Sequence, residues 1–128
     1  MALKNLYSIM TQEVANALME ITHDLLGIEH RTTEKTDENG NILPEKEESN
    51  RYEVEIPKGN GGFSKVRFSI KVLEEKLPIP PEILDDEDYQ ISFRDLKISF
   101  IDTRRNVYFK AEGYTIVNQA TGEEVARL

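Results

Sequence analysis

The chain has 128 residues, a length at which one hydrophobic core is the expectation. It contains no cysteine, which excludes disulfides, thiolate metal sites and cysteine nucleophiles. A formal net charge of −8 argues against a general grip on a nucleic-acid backbone, so any such contact must come from a local patch.

The first residues, MALKNLYSIMTQEV, lack the apolar stretch and small-residue cleavage site of a secretory signal. No apolar run approaches the ~20 residues needed to span a bilayer. A cytoplasmic, membrane-free protein is the expectation.

Leu6, Ile9, Met10, Val14, Ala17, Leu18, Ile21 and Leu25 recur at spacings of three and four, which predicts an amphipathic helix over about 4–26. Gly27 is its expected stop. Residues 29–50 are polar and contain the turn signal Asp37-Glu38-Asn39-Gly40-Asn41. They read as a long hairpin around Asn39-Gly40 or as a flexible loop, and the composition favours the loop.

The remainder, about 51–128, reads as β. Tyr52, Val54 and Ile56 alternate with Glu53 and Glu55; Val66, Phe68, Ile70 and Val72 alternate with Lys65, Arg67, Ser69 and Lys71. Pairing would set the Glu face of the first run against the Lys/Arg face of the second. Three prolines in Leu77–Pro81 break the sheet, and an acidic loop follows. A strand then runs from Tyr89 to Ile101. Its apolar phase slips at Arg94-Asp95, which predicts a bulge or sheet corner, with Ile91 and Phe93 in one phase and Leu96, Ile98 and Phe100 in the other. A turn over 102–106 leads to Val107–Ala111, an interruption at Gly113, a strand over Tyr114–Val117, and a closing strand near Val125–Leu128. These elements predict a single α+β domain. Its N-terminal helix packs on a mainly antiparallel sheet, strongly curved or forming a small, partly open barrel.

Charge is unevenly distributed. The segments read as sheet, 51–76 and 89–117, carry an excess of bases, while the helix and the segments read as loops carry the acids. Ordinary neutralisation and solubility explain such a pattern economically. The functional reading is a sheet face that holds nucleic acid or an acidic partner through Lys65, Arg67, Lys71, Lys97, Arg104, Arg105 and Lys110. Tyr108 and Phe63 would serve as stacking surfaces. The alternative is an acidic inhibitor or decoy that fills a basic groove of another protein through Asp85, Asp86, Glu87 and Asp88.

Other chemistry is weakly signalled. Asp37-x-Asn39-x-Asn41 with Glu48 imitates a calcium loop, but Ile42 stands where a glycine is needed and Pro44 lies inside. The Lys58–Lys65 segment lacks the Gly-Lys-Ser/Thr ending of a phosphate loop. His23 and His30 form no metal-spaced pair, and His23 beside Asp24 reads as a surface or boundary residue. No catalytic set can be assembled, so a non-enzymatic protein without metal or cofactor is expected.

The stretch Tyr89–Val117, YQISFRDLKISFIDTRRNVYFKAEGYTIV, resembles the C-terminal part of small accessory and regulatory proteins of Gram-positive conjugative plasmids and transposons. It shares their succession of an extended strand, an alternating strand, a short basic turn and Tyr-Phe-Lys-Ala-Glu-Gly-Tyr. The resemblance implies a mostly β protein acting in DNA processing beside a helicase, or in regulation with an RNA-binding-like barrel. It transfers no site residue. The expectation that results is an accessory protein of a mobile genetic element that contacts single-stranded nucleic acid, or a protein that processes it, through the basic sheet face.

Overall fold

The computed structural model describes residues 12–61, 64–104 and 107–128. A helix covers residues 12–19. Eight strands follow among the described residues: β1 His23–Thr36, β2 Ile42–Glu55, β3 Arg67–Leu73, β4 Tyr89–Arg94, β5 Lys97–Ile101, β6 Val107–Ala111, β7 Gly113–Asn118 and β8 Glu124–Arg127. A 3-10 turn, Pro81–Asp85, precedes β4. The sheet order is β5-β6-β3-β2-β1-β4-β7-β8. All neighbours are antiparallel except β3 and β6. The α+β class and the mainly antiparallel sheet follow the sequence. The barrel does not, because the edge strands β5 and β8 do not pair with each other among the described residues.

The helix is shorter at its C-terminal end than its periodicity predicts. It ends at 19, and residues 23–26 open β1 instead. Helical spacing at Ile21 and Leu25 is overridden by a ladder of backbone partners from Asp24↔Glu55 to Thr36↔Ile42. Gly27 is therefore no helix stop, and lies beside a bulge within β1. The helix start and Leu6, Ile9 and Met10 lie outside the described residues. Ala15 and Leu18 are buried, and Val14, Met19 and Ile21 pack against the core.

The polar segment 29–50 is the hairpin, not a loop. Asp37 ties its turn: Oδ1 accepts the amides of Asn39 and Asn41, both at 2.9 Å, and Gly40 takes the φ of +82° that the turn demands. From Arg31 to Ile42 every residue is exposed, so the hairpin runs beyond the core as a two-stranded ribbon.

Two bends shape the rest. β4 and β5 are one extended run broken at Asp95, whose φ is +52°. β6 and β7 are a second run broken at Glu112, whose amide donates to the Arg94 carbonyl at 3.1 Å. The two runs form a long hairpin bent at this corner. Its β4 end pairs with β1, and its β6 end pairs with β3. The hairpin therefore clasps both sides of the β1–β3 meander. The helix meets the corner, where the Leu96 amide points at the Met19 sulfur at 3.1 Å.

Curvature follows. β1 and β4 lie between β2 and β7, so a flat sheet would place Tyr52 and Tyr114 about 14 Å apart at ~4.8 Å per strand. Their rings are 5.0 Å apart. The concave side holds the core, with Tyr52, Val54, Ile70, Val72, Ile91, Phe93 and Ile116.

Candidate nucleic-acid interface

Period-two alternation puts the core on one side of the sheet and frees the other. In β2, β3 and β6, the residues flanking Arg51, Lys71 and Lys110 are buried: Asn50 and Tyr52, Ile70 and Val72, Phe109 and Ala111. The three cations therefore face outward. In β5, Lys97 is likewise exposed beside buried Leu96. Register then aligns them. Arg51 pairs with Lys71, Lys71 with Lys110, and Lys110 with Lys97. Four cations thus form one row across four adjacent strands, spanning about 14 Å at ~4.8 Å per strand.

Like charges placed directly opposite one another are destabilising, here on the order of 1 kcal/mol over three neighbouring pairs. Counter-ions relieve the row only in part. Lys71 Nζ contacts Glu47 Oε2 at 3.2 Å. Glu29 sits across from Arg51, and its carboxyl is held below the usual range first by Arg31, with Arg51 adding to the effect. Lys97 and Lys110 have no ion pair among the described residues.

An aromatic step adjoins the row. Phe100 and Tyr108 stack with ring centres 5.6 Å apart and planes 23° apart, and they stay 57% and 42% exposed. Tyr108 is two residues from Lys110 and so shares its face. A cleft of about 200 Å³ lies here, lined by Arg51, Ser69, Lys71, Ser99, Phe100 and Tyr108. A second cleft, of about 360 Å³, shares Lys71 and Ser99 with it and is bounded by Lys110, Leu73, Glu47 and Glu112. Positive charge, an exposed aromatic surface and concavity therefore meet on one face.

Of the residues singled out in the sequence, Lys71, Lys97, Lys110 and Tyr108 come together here. Lys65 and Arg67 do not. They flank Glu55, with Lys65 Nζ and Arg67 Nε each 3.1 Å from its carboxylate. Together they hold its pKa down, Lys65 foremost. One carboxylate thus offsets part of their charge, at the far end of β3, where the predicted Glu-to-Lys/Arg pairing sets Glu55 opposite Arg67. Arg104 lies in the β5–β6 turn, where its amide bonds Asp102. Arg105 and Phe63 lie outside the described residues. Arg51 and Phe100 were not anticipated. The alternation of β2 carries the signal for Arg51, one position before buried Tyr52. Phe100 leaves the core phase because Ser99 is bulged, so that Ile98 pairs with Phe109 but Phe100 pairs with Tyr108. The charge partition also needs correction: the acidic segment 29–50 belongs to the sheet, so cations are concentrated by row and not by sheet against loop.

In the acidic run, Asp85, Asp86, Glu87 and Asp88 are all exposed. Glu87 is engaged internally, since Oε2 accepts the Tyr89 hydroxyl at 2.7 Å and the Asn118 amide at 3.2 Å. Among the described residues no cluster of three potential ligands could hold a metal ion, and no helix is long and apolar enough to cross a membrane.

A second polar constellation lies on the concave side and was not anticipated. The Glu74 carboxylate accepts hydroxyl bonds from buried Tyr52 and, at 2.7 Å, from Tyr114. It also takes an amide bond from Asn50 at 2.6 Å. Burial, reinforced by the neighbouring carboxylate, pushes both phenols far above their ordinary range, so they stay protonated donors. Asn50 gives its amide to Glu74 and to the Lys76 carbonyl, which turns Oδ1 toward His30 Nδ1 at 2.7 Å. His30 Nε2 faces Glu48 at 3.2 Å. Both ring nitrogens meet acceptors, an arrangement that suits the imidazolium. The His30 pKa is accordingly raised, chiefly by Asn50 and then by Glu48. His23 corrects its surface assignment. It is fully buried, Nε2 donates to the Leu18 carbonyl at 3.0 Å, and burial lowers its pKa.

Comparison of the chain with protein-family models, with curated proteins and with solved structures finds no match.

Proposed function

We propose that this chain is a non-enzymatic accessory protein that holds a single strand of nucleic acid across the outer face of β5, β6, β3 and β2. Phosphates follow the Lys97–Lys110–Lys71–Arg51 row, and an unpaired base stacks on Phe100 and Tyr108. The observation that carries the reading is the row itself. Four like charges are set side by side against their own repulsion, and two of them lack a counter-ion among the described residues. A polyanion removes that repulsion on binding.

A single strand is favoured over a duplex because the aromatic step offers a ring face, which only an unstacked base can use. The row is preferred to the acidic run as the functional surface because Glu87 is engaged in internal bonds. The stretch Tyr89–Val117, which resembles mobile-element accessory proteins, supplies Lys97, Phe100, Tyr108 and Lys110. That agrees with a role in nucleic-acid processing.

The test is fluorescence anisotropy at low salt with labelled single-stranded and duplex oligonucleotides. Single strands should bind more tightly. Tyr108→Ala should weaken them by roughly tenfold, in line with the ~1–3 kcal/mol of a base–aromatic stack. No binding of single strands at low salt refutes the proposal.

A further inference from the structure

We infer that the 360 Å³ cleft beside the basic row reads a nucleobase and selects one that bears an exocyclic amino group, such as cytosine, over uracil or thymine. The inference rests on the proposed single-strand site and adds sequence preference to it.

The cleft is built differently from its neighbour. The 200 Å³ cleft offers cations, serines and aromatic faces, which suit any base and its phosphate. The larger cleft adds two carboxylates, Glu47 and Glu112, over apolar surface from Leu73 and Ala111. Carboxylates at a site for a polyanion repel phosphate. They do, however, accept hydrogen bonds from amino groups. Glu47 is held through its carboxylate and Glu112 through its backbone alone. Glu47 Oε2 receives Lys71 Nζ at 3.2 Å and the Thr33 hydroxyl at 3.3 Å, while Oε1 has no protein partner among the described residues. The Glu112 backbone is pinned at the sheet corner by its amide bond to the Arg94 carbonyl, and its carboxylate has no partner among the described residues. Lys71 and Lys110 border the same cleft and would hold the phosphate that links its base to the one stacked on Tyr108.

The cleft therefore offers a base carboxylate acceptors together with apolar surface. Cytosine presents an N4 amino donor to a carboxylate, a pairing used in base readout. Uracil presents O4 at the same position, and an acceptor would then face an acceptor. Adenine and guanine also carry amino donors, so the preference is for amino-bearing bases as a class.

Oligo(dC) and oligo(dU) of equal length isolate the effect, since they differ in the ring only at the C4 substituent and the N3 proton. Anisotropy titrations at neutral pH should show oligo(dC) bound at least about fivefold more tightly. In the double variant Glu47→Gln/Glu112→Gln the side-chain amides can donate to O4. The dC-to-dU ratio should then fall toward one while both affinities rise with the loss of negative charge. Equal, salt-sensitive binding of dC and dU by the natural chain overturns base selection and leaves the basic row standing. Absence of binding by either at low salt overturns the row and the selection together.

Discussion

Neutralising the two cations that have no ion pair among the described residues gives the most direct test of the row. In Lys97→Gln/Lys110→Gln, half of the four side chains aligned by register lose their charge. Single-strand affinity falls with salt at a log–log slope of about −0.7 per phosphate neutralised, so four contacts predict a slope near −2.8. Between 50 and 200 mM salt the natural chain should lose about 50-fold in affinity by the same relation. The variant should have a slope near −1.4 and lose only about sevenfold. Lys65→Gln/Arg67→Gln removes the same formal charge at the other end of β3, off the row and beside Glu55, so its slope should stay close to that of the natural chain. The assay is anisotropy of a labelled single strand at several salt concentrations, with urea denaturation of each protein alongside. Removing neighbouring like charges should leave stability unchanged or slightly higher. Equal slopes for the natural chain and the Lys97/Lys110 variant would refute the row as a phosphate track. A Lys65/Arg67 variant that alone flattens the slope would move the site to the other end of β3.

Three further outcomes concern the scaffold. Glu74→Ala leaves the hydroxyls of Tyr52 and Tyr114 without the Glu74 acceptor, at ~1–3 kcal/mol for each buried group, so urea denaturation should show a loss of about 2–6 kcal/mol. Glu74→Gln, which retains an acceptor oxygen, should lose less. His30 has a folded pKa above its usual 6.5, so its proton is held more tightly folded than unfolded. Its stabilisation is complete below the unfolded value and fades as pH rises through the folded one. The urea-midpoint gap between the natural chain and His30→Gln should therefore be widest at mildly acidic pH and narrow toward alkaline pH; a constant gap would contradict the imidazolium. Gly113→Ala places a methyl group against the Arg94 guanidinium and the Leu128 carbonyl, which bond each other beside β8. Overpacking there should cost about 1–3 kcal/mol and reduce hydrogen-exchange protection at Tyr114 and Leu128, whose amides pair across β7 and the chain end.

Legibility differed along the chain for physical reasons. Strict alternation made β2, β3 and the paired runs around Asp95 readable, because burial on one face imposes period two. The slip at Arg94-Asp95 marked the corner correctly, since no straight strand can turn two apolar phases to one core. Residues 29–50 were harder. A ribbon exposed on both sides has no apolar period to betray it, and only the Asp37–Asn41 turn signalled a hairpin. The region 21–28 misled because its apolar residues fit helical spacing, while long-range pairing with 52–55 decided the outcome. Four of the six residues of the row and aromatic step, Lys71, Lys97, Lys110 and Tyr108, were visible. Their alignment was not, because register between β3 and β6 joins segments nearly forty positions apart and is parallel, which no local turn can set.

That parallel pairing links fold to site. β6 reaches β3 only because the long hairpin bends at Asp95 and Glu112 and lays its two halves along opposite sides of the β1–β3 meander. Were the hairpin straight, β4 could still pair with β1 and β7 with β4, but β5 and β6 would extend past the meander, leaving Lys97 and Lys110 remote from Lys71 and Arg51. The bend that closes the core around Tyr52 and Tyr114 therefore also assembles the cation row on the reverse side. The same bend sets Glu112 at the rim of the cleft, since it is the residue at which β6 gives way to β7. Core closure and surface charge thus depend on one backbone feature. A substitution that straightened the corner, such as a β-branched residue at Asp95 with its φ of +52°, would weaken both together.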